Sequence, residues 1–375
     1  MCLIKELDMD DCLQINPTNT SVYYANHFFK LSTPWELLNF TPLRMLDRIR
    51  LGLLTLRARQ VKDWIALENK TAHEWLRELG GENVYRVLWQ PLLEGKFGPY
   101  AEQISAVWFW NKLKLRGGSR GKGGKEKLVY FNGGFIALAE SLAHQICQFN
   151  GRIEKNAFVS KIEPTNGSWN IHTNKGIISS KRVIATTALP IVADLVRNWA
   201  SSDYVKSLER IPYLGNLCLV LELDRSLSQT YWLNVNDPSF PFVGIIEHTN
   251  FERPETYGGR HIVYLSKYLP HSDPKYSMNA DECLAYAFPF LKIMFPAMER
   301  SWILDYHIWR AQWAQPVVEK HYSKLIPAED GPINGFHICS MAQIYPEDRG
   351  TNYAIRAGRQ IGQRLSLMHE GKLNE

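Results

Sequence analysis

The chain has 375 residues, of which 45% are hydrophobic and 22% charged. This length and composition predict a globular protein of two domains and exclude a disordered one. The formal net charge of +5 is small for the length and does not indicate a nucleic-acid-binding protein. No apolar stretch is long enough to predict a transmembrane helix, and the acidic N-terminal residues do not fit a signal peptide.

The cysteines are scattered and contain no C-x-x-C pair. This pattern predicts free thiols in a reducing compartment, so we expect a cytoplasmic protein, with peripheral membrane association as the alternative. No spacing of histidines and cysteines is typical of a metal site, and no metal ligand is predicted. The cysteines are Cys2, Cys12, Cys147, Cys218, Cys283 and Cys339.

Residues 21–34 predict short strands with a turn, ended by Pro34. Residues 35–115 predict a mostly helical layer, because apolar residues recur at three- and four-residue spacing with arginines between them. That spacing indicates an amphipathic helix whose arginines form its solvated face. The apolar positions are Leu43, Leu46, Ile49, Leu53 and Leu56.

A further helix is predicted to begin after Thr71, which forms a capping-box pattern with Glu74, and to end at Gly80 and Gly81. Residues 116–127 then form a glycine-rich basic loop. The loop does not complete the register of a P-loop and has no aromatic residues of the kind that bind nucleic acid. We interpret it as a solvated loop.

Residues 128–205 predict a strand, a Gly133–Gly134 turn, a helix, and several strands joined by Asn-Gly turns. The last strand, residues 182–186, is apolar throughout, which is typical of a strand buried on both faces. Residues 213–320 return to alternating strands, with a helix that Pro289 is expected to interrupt. Residues 335–341 predict a final strand, and a helix follows.

The stretch that leads into that final helix and includes most of it reads QIYPEDRGTNYAIRAGRQIGQRL, residues 343–365. A helix N-terminus presents unpaired N–H groups and a partial positive charge, which suit an electron-rich ligand atom. The alternative is that Asp348 and Asn352 only cap the helix. In a separate place, Glu247-His248-Thr249 at a strand end is either a structural polar cluster or an acid–base site, and His248 is the candidate catalytic residue.

Two groups of segments carry a family resemblance. The first group is YFNGGFIALAESLA, GRIEKNAFVSKIEP, KRVIATTALP and FHICSMAQIYPEDRGTNYAIRAGRQIGQRL, and the second is WLRELGGENVYRVLWQPLLEGKFG and WAQPVVEKHY. Together they resemble the flavin-dependent amine oxidase and protoporphyrinogen oxidase superfamily, over most of the chain and in that family's order. The resemblance implies an FAD-dependent oxidoreductase that transfers a hydride from a small organic substrate to the flavin.

The resemblance also implies the cofactor contacts. The backbone of Val159 would contact adenine, the Gly133–Gly134 turn would lie near the interface of substrate and flavin, and Thr186 would lie near the dinucleotide. The amides of Gly350–Asn352 would face the pyrimidine edge of the flavin. The complete set is Gly133, Gly134, Val159, Thr186, Gln343, Asp348, Arg349, Gly350, Thr351 and Asn352.

The chain departs from the family pattern at two places. Where the family has an acidic residue for the ribityl hydroxyls, this chain has Met341-Ala342-Gln343, and either Gln343 or Asp348 is the substitute. The family begins with a βαβ unit whose G-x-G-x-x-G turn binds the pyrophosphate. That motif occurs nowhere in the 375 residues, so a truncated product, one part of a split enzyme, or a degenerate relative is expected.

These observations predict a two-domain α/β protein. An incomplete Rossmann-like FAD-binding domain is built from separated segments, and the inserted substrate domain has a mixed or antiparallel sheet and helices. The substrate domain comprises residues 1–127, largely helical, and 206–325, and the FAD-binding domain comprises 128–205 and 326–375. A second polypeptide is the candidate source of the missing dinucleotide-binding unit. The alternative functions are a non-catalytic remnant that binds a partner, or a protein that binds nucleic acid or anionic membrane through residues 116–127.

Overall fold

The computed structural model describes residues 2–30, 34–118 and 127–369 as a helical layer, one large sheet and three small sheets. The helices are α1 (Cys2–Glu6), α2 (Pro34–Leu38), α3 (Met45–Gln60), α4 (Ala72–Gly80), α5 (Glu82–Val84), α6 (Gln90–Phe97), α7 (Ala106–Gly118), α8 (Ile136–Gln148), α9 (Leu189–Val196), α10 (Ser202–Glu209), α11 (Ala280–Met294) and α12 (Thr351–His369). The strands are β1 (Leu13–Pro17), β2 (Thr20–Tyr24), β3 (His27–Lys30), β4 (Lys127–Phe131), β5 (Val159–Thr165), β6 (Ser168–Thr173), β7 (Gly176–Ser180), β8 (Val183–Ala185), β9 (Tyr213–Leu223), β10 (Trp232–Val235), β11 (Gly244–Glu247), β12 (His261–Leu269), β13 (Ile303–Pro316) and β14 (Phe336–Ile338).

Helix α4 begins and ends where local signals predict. The Thr71 hydroxyl accepts a hydrogen bond from the Glu74 amide at 3.1 Å, and the Glu74 carboxylate accepts one from the Thr71 amide at 2.7 Å. This confirms the predicted capping box, which satisfies two of the orphan donors at the start of α4. Gly81, with φ of +82°, ends α4 in a conformation that residues with a side chain rarely adopt. Most of the predicted basic loop, residues 119–126, lies outside the described residues.

Helix α3 is apolar on two opposite faces. Its buried side carries Leu51, Leu54 and Ala58, and the Trp110 indole of α7 donates a hydrogen bond to the Ala58 carbonyl at 2.8 Å. The expectation of one apolar face opposite solvated arginines is therefore wrong. The predicted apolar positions within α3 are those that remain 47% to 72% exposed. We call this exposed row the α3 stripe: Met45, Leu46, Ile49, Leu53 and Leu56.

The large sheet has seven strands in the order β13-β9-β12-β11-β10-β2-β3. Only the β10–β2 pair is parallel, so the sheet is mixed, as expected for the inserted domain. Leucines 217, 219, 221 and 223 on β9 pack in a core with α11, because successive side chains on a strand point to opposite sides. We call the other side of the sheet the open face, and its half-buried residues include Asn216, Cys218, Tyr264, Ser266 and Tyr268.

Helix α11 continues through Pro289, so the predicted interruption is wrong. Proline removes one backbone donor and costs about 3 kcal/mol inside a helix. Burial of Leu284, Leu291 and Met294 against the sheet offsets that cost. At its start, Asn279 and Glu282 form a capping box.

Two distant segments meet in a small parallel sheet. Phe336, His337 and Ile338 of β14 lie opposite Val183, Ile184 and Ala185 of β8. The two segments lie on either side of the large sheet in the sequence, which is the arrangement that a domain with an insertion requires. The expectation that residues 182–186 are buried on both faces is wrong, because Ile184 is 39% exposed. The domain boundaries at residues 127, 205 and 325 stay a prediction.

Truncation of a leucine should have a large effect on the buried face of α3 and a small effect on the exposed face. Leu54→Ala removes a fully buried side chain, and we expect it to lower the free energy of unfolding by about 3 kcal/mol. Its neighbour Leu53 lies on the exposed stripe, so Leu53→Ala should change stability by no more than about 0.5 kcal/mol. Urea unfolding of the two variants measures both values. Equal losses would show that the stripe is packed against something.

Candidate functional site

The loop before α12 buries a charged side chain. Asp348 is 6% exposed, and its Oδ2 lies 2.5 Å from Lys112 Nζ of α7 and 4.0 Å from Lys96 Nζ of α6. Both ammonium groups also lie over the ring of Trp108, at 5.6 Å and 4.8 Å from its centroid. The carboxylate is therefore held among cations and an aromatic ring rather than in water.

Asp348 is ionised in this setting. Burial by itself would raise the pKa of the carboxyl, but Lys96 and Lys112 together outweigh burial and hold the pKa of Asp348 below its usual range. A buried charge is stable only when it is paired, so this ion pair ties the loop to α6 and α7.

Arg349 connects the same loop to the large sheet. Its Nε and Nη2 donate to Gln315 Oε1 at 3.0 Å and 2.7 Å, and Nη2 also donates to the Tyr268 hydroxyl at 2.9 Å. Gln315 is fully buried on β13, and Tyr268 lies on the open face. The side chain of Arg349 thus places the start of α12 at one end of that face.

The first amides of α12 are available to a ligand. The Gly350 carbonyl accepts from the amides of Tyr353 and Ala354, at 3.0 Å each. Within residues 2–30, 34–118 and 127–369, the amides of Gly350, Thr351 and Asn352 have no acceptor, and Thr351 and Asn352 are exposed. The Asp348 carboxylate bonds the Arg349 amide instead of capping the helix. A helix end with free amides suits an electron-rich ligand atom.

The Gly133–Gly134 turn lies at a second aromatic cluster. Both glycines have φ of +83°, which favours glycine, and a Cβ on Gly134 would lie 3.5 Å from the Tyr130 hydroxyl. The Tyr130 ring contacts the His248 ring edge-on, with centroids 5.3 Å apart. The turn before α8 and the candidate histidine are therefore neighbours.

His248 is buried among aromatic rings. Its Nε2 lies 2.8 Å from the Tyr257 hydroxyl, and its ring is 5.9 Å from that of Tyr264. Burial lowers the pKa of His248, although Glu252 opposes the shift. The imidazole is thus neutral near pH 7, which is the state a general base requires.

The neighbours of His248 have structural roles. Glu247 accepts hydrogen bonds from the amides and hydroxyls of residues 226–228, and burial raises its pKa against those bonds. The Thr249 hydroxyl accepts from the Ile262 amide at 3.1 Å. These contacts support the structural interpretation for Glu247 and Thr249.

The Arg349 loop and the aromatic cluster around His248 border one surface. Tyr264 and Tyr268 lie four residues apart on β12 and point to the same side, so the His248 cluster and the Arg349 loop flank the open face. Ser266 lies between the two tyrosines on β12, and Cys218 of β9 is opposite it. Burial raises the pKa of the Cys218 thiol to about 11. That thiol is protonated and is not a nucleophile near pH 7. The open face therefore offers aromatic and hydroxyl groups with cations at one end.

The other predicted cofactor residues lie elsewhere. Val159 begins β5 and packs half-buried against the main core, while Thr186 follows β8 and is exposed. The Gln343 side chain is already engaged, because it accepts from the Ser340 amide at 2.7 Å and donates to the Pro327 carbonyl at 3.1 Å. In the described residues no hydrogen bond joins these three side chains to the open face.

Two further features do not form the site. A cleft between the large sheet and α11, lined by Leu265, Lys267 and Cys283 among others, has about 50 Å³ and is too small for a cofactor. Glu222, Asp305 and His307 bring ligand atoms within 4.8 Å of one another. The Arg260 guanidinium already pairs with Glu222, so ion pairing accounts for this group.

Solved structures match this architecture. A structure from Exiguobacterium sp. 255-15 assigned as a protoporphyrinogen oxidase has 13% identity and a TM-score of 0.74, over 98% of this chain and 84% of that chain. A cyclohexylamine oxidase from Brevibacterium oxydans IH-35A has 13% identity and a TM-score of 0.65, over 98% and 85%. The fold is that of protoporphyrinogen oxidase and amine oxidase structures. An oxidoreductase from Methanosarcina mazei, at 19% identity and a TM-score of 0.66, covers 90% of this chain and 79% of its own.

The oxidase fold confirms the resemblance in architecture, although the identities are too low to carry any residue's role. No protein-family model and no curated protein sequence matches the chain. Within the oxidase fold, sequence reasoning missed Lys96, Lys112, Tyr268 and Gln315. No local motif marks these residues, because each reaches the loop before α12 from a different element.

The buried ion pair of this oxidase fold predicts a pH-dependent loss of stability. Asp348→Asn leaves Lys96 and Lys112 without their counter-charge, and we expect a loss of about 2 kcal/mol at pH 7 in urea unfolding. Because folding lowers the pKa of Asp348, the advantage of the native protein over the variant should be complete above about pH 4 and vanish as pH falls through the lowered pKa.

A matched control is Glu78→Gln, which removes an exposed partner of Lys70. Its cost should stay below about 0.5 kcal/mol at every pH. An Asp348→Asn variant as stable as the native protein at pH 7 would contradict the assignment of a buried ion pair.

Proposed function

We propose that the protein is an FAD-dependent oxidoreductase that removes a hydride from a small organic substrate held on the open face. The observation that carries this proposal is the N-terminal end of α12. Its free amides lie beside the aromatic side chains of the open face, in a chain with the oxidase fold. An amide cluster at a helix end stabilises negative charge, which develops on a flavin ring as it accepts a hydride.

The residues present fit the ring end of FAD. The amides of Gly350–Asn352 would hold the electron-rich edge of the ring, and the pairing of Asp348 with Lys112 keeps its negative charge from repelling that edge. Val159 would hold the adenine and Thr186 would lie near the dinucleotide, as the resemblance implies. When bound, the flavin supplies the hydride acceptor, and the protein supplies position and electrostatics.

The chain's own residues would organise the substrate. Tyr264 and Tyr268 present rings on the open face, and Arg349 holds the Tyr268 hydroxyl in place. His248, neutral and bonded to Tyr257, is the candidate to hold a proton at Nε2. We propose that the substrate is a small organic molecule. We also propose a cytoplasmic location, in keeping with the free cysteines.

The pyrophosphate end of the cofactor has no counterpart in the 375 residues, because they contain no G-x-G-x-x-G. We propose that a dinucleotide-binding unit supplied by a second polypeptide completes the site. Helix α8, which follows the Gly133–Gly134 turn, supports this arrangement. Its apolar residues Ile136 and Ile146 are exposed, as are Phe135 just before it and Phe149 just after it, so the helix has a face on which a partner could pack.

A second candidate function is a non-catalytic protein that binds a partner through α8. The same exposed face and the same missing motif favour it. The two candidates differ in whether this chain has any affinity for flavin.

Flavin titration separates them. We expect the purified chain to bind FAD with a Kd on the order of micromolar or weaker, because the chain has no glycine motif to bind the pyrophosphate of the cofactor. Flavin fluorescence and absorbance measure this affinity. The absence of any flavin binding would exclude an oxidoreductase that acts without a partner, and would leave the split enzyme and the non-catalytic partner-binding protein.

A pair of substitutions at one position tests where the ring binds. Thr351→Pro removes one amide at the first residue of α12, where proline is tolerated, and should weaken FAD binding by about tenfold. Thr351→Ala keeps the amide and should leave the affinity unchanged. Equal affinities for the two variants would place the ring elsewhere.

A further inference from the structure

A small cleft lies on the side of the large sheet opposite to the open face. It has about 50 Å³ between the sheet and α11, which is room for about four atoms of the size of a water molecule. Its walls are apolar apart from two lysines, a cysteine and a tyrosine. The lining includes Leu217, Leu265, Lys267, Lys275, Cys283 and Ala287.

Lys267 extends from β12 into this cleft. It lies directly opposite Leu217 of β9, whose side chain packs in the core with α11, and opposed residues of an antiparallel pair point to the same side. The next residue, Tyr268, points to the open face. The Lys267 amine is therefore separated from the open face by the sheet itself, and it takes no part in the proposed flavin site.

The Lys267 amine has no counter-charge of its own. In the part of the chain that the structure describes, no carboxylate pairs with it and no acceptor bonds it. Asp273 acts on it from a distance, but that carboxylate lies 3.6 Å from Lys275 Nζ and accepts from the Lys275 amide at 2.9 Å. A half-buried charge without a paired acid is costly, so this site favours the uncharged amine.

The start of α11 does not supply the missing acid. Asp281 accepts a hydrogen bond from the Tyr306 hydroxyl, and Glu282 accepts one from the Asn279 amide. What α11 contributes to the cleft is a thiol and a phenol, those of Cys283 and Tyr286.

A further cation lies on the same side of the sheet. Arg310 of β13 is opposite Leu217, and its guanidinium donates to the carbonyls of Tyr276 and Met278. These bonds hold the Pro274–Ser277 turn against the edge of the sheet. The cleft is thus closed on that side by main-chain contacts, and no negative charge comes with them.

The surroundings act on the protonation of Lys267. Burial and, after it, the charge of Lys275 lower the pKa of the Lys267 amine, and Asp273 opposes the shift only in part. At any given pH a larger fraction of this amine is therefore unprotonated than of a lysine in water.

We propose that Lys267 is a nucleophilic lysine that binds a small aliphatic aldehyde in this cleft as an imine. The uncharged amine attacks the carbonyl carbon, and a proton passes from the nitrogen to the carbonyl oxygen. Loss of one water molecule then leaves a C=N double bond, with no oxidant or reductant involved, and water reverses the reaction. Lysines act as nucleophiles where an apolar pocket or a neighbouring cation keeps the amine unprotonated.

The cleft favours a short, neutral carbonyl compound over a carboxylate. Its apolar walls suit an alkyl chain, and its volume limits that chain to about three or four carbons. A carboxylate would meet the charge of Asp273, and the two other cations are already engaged, Lys275 with Asp273 and Arg310 with main-chain carbonyls. This proposal does not depend on FAD binding.

Reductive trapping tests the proposal. Propanal and cyanoborohydride at pH 7 convert an imine into a stable propyl-lysine, which peptide mass spectrometry locates and quantifies. In the native protein Lys267 should be modified at least about fivefold faster than the exposed Lys181. The preference should disappear with benzaldehyde, which is too large for the cleft. It should also disappear in the urea-unfolded chain, where both lysines are in water.

A pair of substitutions on α11 tests the role of the cleft. Ala287 lines the cleft and is buried, so Ala287→Leu should fill the space and remove the preference for Lys267. The matched control is Ala285→Leu, which makes the same change at an exposed position of the same helix and should keep the preference. Both variants should modify Lys181 at the native rate.

Three results would overturn the proposal. One is equal modification of Lys267 and Lys181 by propanal in the native protein. Another is a preference for Lys267 that a folded Ala287→Leu variant retains. The third is a cleft that binds propionate, with binding lost in Lys267→Met, while propanal leaves Lys267 unmodified, since the cleft would then be an anion site.

Discussion

The helical layer, the large sheet and the start of α12 are joined at the loop in which Asp348 pairs with Lys112. A carboxylate this deeply buried is stable only beside a counter-charge, and the lysines that supply it come from α6 and α7. The next residue, Arg349, reaches the buried Gln315 of β13 and the Tyr268 hydroxyl of β12. One short loop therefore holds together the helical layer, the large sheet and the start of α12, and it sets where the free amides of α12 point.

The same arrangement relates the open face to the α3 stripe. The open face lies between the Arg349 loop and the His248 cluster, and the α3 stripe lies on the outer side of the helical layer. Helix α7 joins them, because its Trp110 bonds α3 and its Lys112 bonds Asp348. The α3 stripe and the open face are thus separated by a single packed helix.

The oxidase fold constrains function less than the site does. Folds host many chemistries, and catalysis depends on particular side chains rather than on architecture. In this chain the free amides at the start of α12 and the aromatic side chains of the open face are the groups on which the proposed flavin site depends, and no G-x-G-x-x-G motif occurs in the 375 residues. The apolar side of α8 is exposed in the described structure, and the proposed partner would pack there.

Local signals in the sequence determined the elements whose ends depend on near neighbours. The Thr71–Glu74 box, the turns of β5–β7 and the final helix follow from side chains a few residues apart. Only the tertiary structure decided which face of α3 is buried, that α11 runs through Pro289, and that Lys96 and Lys112 meet Asp348. Helical periodicity identifies an apolar face but not what lies against it, and a buried charge finds its partner only after distant elements have packed.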